Sequence, residues 1–248
     1  MAKVALVTGA AAGIGKACAK RLAQDGVAVG VLDLNLEGCQ AVVAEIEAAG
    51  GKALALKASI ADRAQVVAAV DQLRKAFGPV NIVVNNAGIT GFVPFEELTD
   101  EQWDKMMEIN LKGTFIVTQV CLPDMKAGKW GRIVNISSSS AQTGAVNMVH
   151  YSASKGAMIT MTRSLAQELG PLGITVNNIP PGSVMQTLMS EANKERFQIP
   201  MEVLQQTIPV RHTGVPEDIA NACAWLCKDE TGYVTGQTIG VNGGRVIY

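Results

Sequence analysis

The sequence predicts an α/β fold: one doubly wound domain whose central parallel sheet carries helices on both faces. Three observations lead there. Short apolar, β-branched runs alternate with segments of helical spacing along the chain, which implies parallel strands joined by crossover helices. The first of these runs passes into a glycine-rich turn and then a helix. The 248 residues are 48% hydrophobic and 17% charged, enough apolar material for one sizeable core and too few charges for a disordered chain. With no internal repeat, low-complexity tract or linker, residues 1–248 read as a single domain.

The first strand runs from Ala2 to Val7, before Thr8-Gly9-Ala10-Ala11-Ala12-Gly13-Ile14-Gly15 and a helix through Gln24. Glycines let a backbone turn tightly and approach a pyrophosphate, and the helix N-terminus offers free N–H groups at its positive end. The spacing is Gly-x-x-x-Gly-x-Gly, not the commoner Gly-x-Gly-x-x-Gly, and a plain strand–helix turn would look similar. The second strand, Val27 to Leu32, ends at Asp33. A carboxylate there can accept hydrogen bonds from an adenosine ribose and would repel a ribose 2′-phosphate. No Arg or Lys stands in Leu34-Asn35-Leu36 to receive that phosphate, so NAD is favoured over NADP. An aspartate capping the next helix has the same appearance.

A helix from Leu36 to Ala49, a strand from Ala53 to Ala58 with Ser59-Ile60 beyond it, and a helix from Asp62 to Phe77 come next. The strand Asn81 to Asn85 ends in Asn86-Ala87-Gly88, small residues that admit a flat adenosine or make a simple turn. Thr99 to Ala127 reads as one long helix, capped by Thr99 with Gln102. Asn110 inside it is a poor helix former; facing the core it must find partners, and it can interrupt the helix or hold a water. The strand Arg132 to Ser137 delivers Ser137 to Ser140 to its C-terminal end, where open α/β sheets bind ligands.

The following helix, Tyr151 to Gly170, opens with Tyr151-Ser152-Ala153-Ser154-Lys155. Four residues apart, the phenol and the ammonium share a helix face about one turn apart. A nearby cation favours the phenolate and lowers its pKa, so the hydroxyl can exchange a proton closer to neutrality. That chemistry suits an alcohol or carbonyl oxygen; by itself the pair also describes a half-buried ring beside a solvated amine.

Beyond it come a strand, Ile174 to Ile179, then Pro180-Pro181-Gly182, and a Met-rich stretch of weak periodicity, Ser183 to Val210, suited to covering a ligand. A helix from Pro216 to Lys228 and a strand from Gln237 to Val241 complete the alternation, before Asn242-Gly243-Gly244.

Other classes of function are disfavoured. A formal net charge of −1 provides no basic field for nucleic acid or anionic membrane. The start shows no signal-peptide architecture and no apolar run is long enough to cross a bilayer. The five scattered cysteines suggest reduced thiols in a cytoplasmic protein. Cys223 and Cys227 share a helix face but read as core residues, so no metal is expected. Asn135-Ile136-Ser137 matches a glycosylation acceptor in a buried-looking strand and carries no weight. His150 and His212 read as structural or exposed.

Together these pieces resemble the short-chain dehydrogenase/reductase family, a single-domain Rossmann fold, over essentially the whole chain. The matching elements are Thr8-Gly9-x-x-x-Gly13-Ile14-Gly15, Asp33, Asn85-Asn86-Ala87-Gly88, Asn110, Ser138, Tyr151-x-x-x-Lys155 and Pro181-Gly182. The resemblance implies that Tyr151 is the general acid/base and that Ser138 orients the substrate oxygen. It implies that Lys155 lowers the Tyr151 pKa and binds the nicotinamide ribose, and that Asn110 holds a water of a proton relay. Three positions depart from the family pattern. Ser59, beside Ile60, stands where an Asp usually meets adenine. Pro180 stands where a small apolar residue is usual. Thr187 lies one step later than the family's Thr; the resemblance implies that it and the Val184 backbone bind the carboxamide.

The leading expectation is an NAD-dependent oxidoreductase interconverting a secondary alcohol and a ketone. Val184, Met185, Leu188, Met189, Phe197, Ile199, Met201 and Leu204 imply a hydrophobic substrate, such as a cyclic alcohol, aryl ketone or hydroxysteroid; the same residues could also be core filler. A second enzymatic expectation is a 3-oxoacyl-[acyl-carrier-protein] reductase. Lys126, Lys129 and Arg132 would offer that acidic carrier some positive charge, while Pro171-Leu172-Gly173 offers none and Asp33 opposes NADPH. A non-catalytic dinucleotide-binding regulator is the third, disfavoured because all four catalytic residue types are retained. The resemblance also implies a homotetramer, with Thr99–Ala127 and Tyr151–Gly170 available to pair between subunits.

Overall fold

The computed structural model describes residues 3–187 and 200–247. Its strands are β1 (Val4–Thr8), β2 (Ala28–Asp33), β3 (Ala53–Lys57), β4 (Ile82–Asn85), β5 (Gly131–Ile136) and β6 (Ile174–Ile179). They form one sheet in the order β3-β2-β1-β4-β5-β6, every pair parallel. β1 pairs with both β2 and β4, so the winding reverses there and opens a crevice above their C-terminal ends.

The helices are α1 (Gly13–Gln24), α2 (Leu36–Ala48), α3 (Arg63–Phe77), α4 (Asp100–Met107), α5 (Gly113–Gly128), α6 (Ser140–Thr143), α7 (Val149–Leu169), α8 (Met201–Gln206) and α9 (Pro216–Leu226). Successive strand residues face opposite ways, and β1 shows the consequence. Ala5 and Val7 join an apolar layer with Cys18, Leu22, Val42, Ile46 and Ile219 of α1, α2 and α9. Val4 and Leu6 join the other layer, with Val66, Leu73, Val117 and Leu169 of α3, α5 and α7. Each fully buried leucine here stabilises the fold by roughly 1.5–3 kcal/mol.

A buried polar ladder crosses the second layer. Asn85 Nδ2 donates to Thr118 Oγ1 at 3.0 Å and to Asn135 Oδ1 at 2.8 Å; Asn135 Nδ2 donates to Thr162 Oγ1 at 2.8 Å. β4, β5, α5 and α7 are thereby fixed against one another just below the crevice. Asn135 is wholly buried in this network, so the sequon it heads is inaccessible.

Several elements differ from expectation. The Thr99 capping box is present, but the long helix it opens is interrupted: Glu108–Lys112 forms a wider π turn between α4 and α5, with Asn110 at its centre. The Asn110 side chain is drawn off to the β4 loop, a pull an undisturbed α-helix would not accommodate. The last strand, Gln237 to Val241, is reduced to isolated bridges, Asn178 to Thr238 and Pro181 to Val241. Side chains replace part of the ladder there, Asn177 Oδ1 accepting from the Gln237 amide at 3.1 Å and Thr235 Oγ1 from the Val176 amide at 3.0 Å. α7 begins two residues before Tyr151. Of the expected cover, Leu188, Met189, Phe197 and Ile199 lie outside the described residues, as does Ala2 at the expected start of β1. Among the described residues no helix is long and apolar enough to cross a membrane.

Candidate functional site

The glycine turn packs against the end of β4. Gly9 has φ +63°, and a Cβ there would lie 2.8 Å from Ala87 Cα. A Cβ on Gly15 would overlap the Gly9 carbonyl oxygen, so α1 can start this close only without one. Thr8 Oγ1 accepts from the amides of Asn86 and Ala87, each at 3.1 Å. Asn86 Nδ2 returns two bonds, to the carbonyls of Thr8 at 3.0 Å and Gly9 at 3.1 Å. The Asn86 and Ala87 amides are therefore engaged by Thr8, and Asn86 braces the turn.

The first turn of α1 has no side-chain cap and no acidic residue, leaving the amides around Gly13, Ile14 and Gly15 for an anion. This uncapped helix start behind a turn that excludes side chains fits a dinucleotide pyrophosphate. Thr187 lies against the turn, its Cβ 3.4 Å from where a Gly13 Cβ would be.

Asp33 ends β2 at the crevice rim, with Oδ2 accepting from the Ala11 amide at 3.3 Å and Oδ1 from the Asn35 amide at 3.1 Å. α2 is capped by Asn35, which accepts from the Gly38 amide at 3.1 Å, so helix capping does not account for Asp33. Ser59 donates its amide to Gln65 Oε1 at 3.0 Å, and Ile60 is buried against Gly113. A backbone contact from the Ser59 amide to adenine is thus pre-empted, and the Ile60 side chain belongs to the core.

Across the crevice Tyr151 and Lys155 share one face of α7, 6% and 3% exposed. Lys155 Nζ lies 5.9 Å from the Tyr151 ring centroid and donates to the Ile136 carbonyl at 3.0 Å. The expected depression of the tyrosine pKa does not arise in the chain alone. Burial pushes the Tyr151 phenol above its ordinary value, opposed by a side-chain hydrogen bond with Ser138. Burial also pushes the Lys155 ammonium down to about 8. The lysine, held by the Ile136 carbonyl, is not among the groups that oppose desolvation of the ring.

Asn110 is fully buried beside this pair. Its Oδ1 accepts from the Ile89 amide at 2.8 Å; its Nδ2 donates to the Ile89 carbonyl at 3.0 Å and to Ser154 Oγ at 3.0 Å. Ser154 Oγ donates in turn to the Tyr151 carbonyl at 2.8 Å. Gly88 passes through the narrowest gap, where a Cβ would sit 2.9 Å from Asn110 Oδ1 and 3.3 Å from Lys155 Nζ. Asn110, Gly88, Tyr151 and Lys155 are therefore one packed group.

At the end of β5, Ser138 Oγ accepts from the Ser140 amide at 3.2 Å and the Ser140 hydroxyl at 3.0 Å. Pro181 bridges to Val241, and Gly182 packs where a Cβ would be 2.8 Å from Asn242 Cα. Val184 bridges to Gly214 through the Ser183 carbonyl and the Met185 amide. Neither bond uses the N–H or C=O of Val184, which suits them for a carboxamide.

One other expectation is corrected. Lys129 and Arg132 lie at the N-terminal end of β5, opposite the end that carries Ser138, with Lys126 in the adjoining last turn of α5. Arg132 stacks on Trp130 at 4.4 Å and donates to the Lys228 carbonyl at 3.1 Å. Within one chain these cations do not border its own site. His150 is 2% exposed, its pKa lowered by burial, whereas exposed His212 meets the Thr213 carbonyl at 3.0 Å. Cys18, Cys223 and Cys227 are buried where α1 meets α9, and no metal-binding cluster occurs among the described residues. Thr8, Ser140, Ser154 and the Ile136 carbonyl had no assigned bonding in the sequence. All four lie within or close to matched elements, Thr8 in the glycine turn, Ile136 and Ser140 two residues either side of Ser138, and Ser154 next to Lys155, but adjacency does not disclose what they bond.

Comparison with known proteins identifies the family. The chain is 40% identical over 246 residues to the (2S)-[(R)-hydroxy(phenyl)methyl]succinyl-CoA dehydrogenase subunit BbsD of Thauera aromatica, covering 99% of this chain and 97% of that one. It is 39% identical over 245 residues to the 3-oxoacyl-[acyl-carrier-protein] reductase FabG of Thermotoga maritima, covering 99% and 98%. Among solved structures it is similar to a variant actinorhodin polyketide ketoreductase with NADPH: TM-score 0.95, 34% identity, 100% of this chain and 98% of that one. The profile described as short chain dehydrogenase matches residues 3–197, and the chain belongs to that family of oxidoreductases, which act on CH–OH and ketone groups with a nicotinamide cofactor.

Proposed function

We propose that the protein is an NAD(H)-dependent dehydrogenase/reductase that interconverts a secondary alcohol bearing an apolar substituent and the corresponding ketone. The observation that carries this reading is Asp33, held at the crevice rim by the Ala11 and Asn35 amides with no Arg or Lys in either the Gly9–Gly15 turn or Leu34–Leu36. A carboxylate in that place accepts ribose hydroxyls and repels a 2′-phosphate. The nicotinamide supplies the hydride acceptor or donor when bound.

The chain's own groups handle the proton and the oxygen. Tyr151 Oη gives or takes the proton at the substrate oxygen, and Ser138 orients that oxygen. Lys155, anchored by Ile136, would hold the nicotinamide ribose. Asn110, its side chain locked to Ile89, holds the relay water. We assign the cofactor cleft to Gly9, Gly13, Ile14, Gly15, Asp33, Asn86, Ala87, Gly88, Pro181, Gly182, Val184 and Thr187, with Ser59 and Ile60 at the end of the neighbouring strand, and the substrate cover to the segment about 183–210, of which 188–199 lie outside the described residues. Burial raises the Tyr151 pKa and keeps the phenol protonated, ready to donate to a ketone oxygen. Exposed apolar residues on α5 and α7, Phe115 and Val149, are available for the expected homotetramer, which light scattering tests.

A second reading, a 3-oxoacyl-[acyl-carrier-protein] reductase, is favoured by the FabG relatives. One experiment separates the two. Purified protein is assayed with secondary alcohols, ketones and 3-oxoacyl thioesters, each with NAD(H) and NADP(H). NADH-linked turnover of simple apolar ketones supports the first reading. Activity confined to thioesters with NADPH supports the second, and NADH binding without turnover of anything indicates a regulator.

A further inference from the structure

The hydroxyl of Ser138 has one proton and two lone pairs to place. Its Oγ accepts from the Ser140 backbone N–H at 3.2 Å, a side-chain-to-backbone turn that satisfies an otherwise free amide at the start of α6. The Ser140 hydroxyl lies 3.0 Å from the same oxygen. With both lone pairs filled from Ser140, the Ser138 proton is left for another group, and Ser138 is the side chain whose hydrogen bond opposes the burial-driven rise of the Tyr151 pKa. The serine run that begins at Ser137 thus contains two functional members, of which the second never touches the reacting atoms.

We propose that Ser140 is a positioning residue for the reaction: by donating its N–H and Oγ–H to Ser138 it aims the single Ser138 proton at the oxygen shared by Tyr151 and the substrate. Aimed that way, Ser138 is a standing donor that stabilises the phenolate and the developing substrate alkoxide. No reorientation of its hydroxyl is needed as charge builds. If the order were reversed, with Ser138 donating to Ser140 Oγ, Ser138 would face the substrate with lone pairs and oppose that charge. The proposal rests on the reading of Tyr151 and Ser138 given above, and deepens it.

The test uses full-length protein carrying ring-carbon-labelled tyrosine. The sequence has three tyrosines, so the Tyr151 resonance is assigned with Tyr151→Phe. Ser138→Ala removes the donor to Tyr151 and sets the reference displacement of that resonance. Ser140→Ala should move it in the same direction by a smaller amount, and Ser140→Thr should restore it. In the assay, Ser140→Ala should lower kcat about three- to tenfold with KM for cofactor unchanged. It should also raise the apparent pKa of the pH profile, and Ser140→Thr should recover both. If Ser140→Ala fails to fold, Ser140→Cys replaces the hydroxyl by a weaker donor of similar size. An unmoved Tyr151 resonance in Ser140→Ala, or a higher kcat, overturns the proposal. A moved resonance with no turnover on any substrate leaves the proposal standing and sinks the assigned reaction instead.

Discussion

Lys155 donates from Nζ to the carbonyl oxygen of Ile136, the last residue of β5, at 3.0 Å, and this bond rather than Tyr151 anchors the lysine in the cofactor-free chain. One carbonyl compensates a buried ammonium poorly, and burial accordingly lowers its pKa to about 8 from the ordinary 10.5. Between those values the unfolded chain binds more protons than the folded one, so stability rises with pH across that window. The contribution is fully present above the unfolded value and is lost as pH falls through about 8. Lys155→Met should therefore be more thermostable than the parent at neutral pH, by several degrees if about 1–3 kcal/mol of strain is relieved. Its advantage should shrink as pH approaches 10.5, while turnover is lost and NAD binding weakens. Thermal melts of both proteins across pH check this; parallel curves would mean that the lysine carries no such penalty.

Tyr151→Phe removes one hydroxyl from a ring that is otherwise packed. Turnover should fall by at least about 100-fold, the scale of general acid–base catalysis. NADH affinity, read by its fluorescence on titration, should stay within about twofold, because the pyrophosphate cleft at Gly9–Gly15 is untouched. Turnover near the parent rate would remove Tyr151 from its role.

Gly88→Ala places a methyl 2.9 Å from Asn110 Oδ1 and 3.3 Å from Lys155 Nζ. Asn110 cannot yield freely, since the same oxygen accepts from the Ile89 amide. The substitution should cost about 1–3 kcal/mol of stability and reduce both cofactor binding and rate. Denaturant unfolding and the alcohol/ketone assay measure the two effects, and a parent-like enzyme would show the gap to be wider than it appears.

Asp33→Ala deletes the carboxylate and its bond to the Asn35 amide, while the Asn35 side chain keeps its own capping bond to Gly38. The ratio of kcat/KM with NADPH to that with NADH should rise about tenfold or more as charge repulsion is relieved. A parent that already prefers NADPH by that margin would invalidate the role given to Asp33.

Much of this architecture was legible along the chain because the physics that sets it is local. Alternating runs revealed the strands, the Thr99 capping box appeared as read, and Tyr151 and Lys155 share a face because helical spacing puts them there. Asn110 was recognisable as a residue that would disturb its helix, yet the π turn required knowing that Ile89 lies opposite. The final strand was overestimated because an apolar run cannot disclose that Asn177 and Thr235 side chains will take its ladder bonds. Arg132 looked like a cation near the site since sequence distance from Ser138 is short, but a strand of this length carries the two to opposite ends of the sheet.

By itself, then, the sequence determined the doubly wound α/β class, the glycine turn, the placement of Asp33 and the tyrosine–lysine face, all consequences of short-range periodicity and backbone freedom. Tertiary structure alone decided what those groups bond to: Lys155 to Ile136, Asn110 to Ile89, Asn86 to the glycine turn, and Ser138 to Ser140. It also decided the proton affinities of Tyr151 and Lys155. Burial and partners across the fold set those quantities, and neither is encoded in the spacing of residues along one helix.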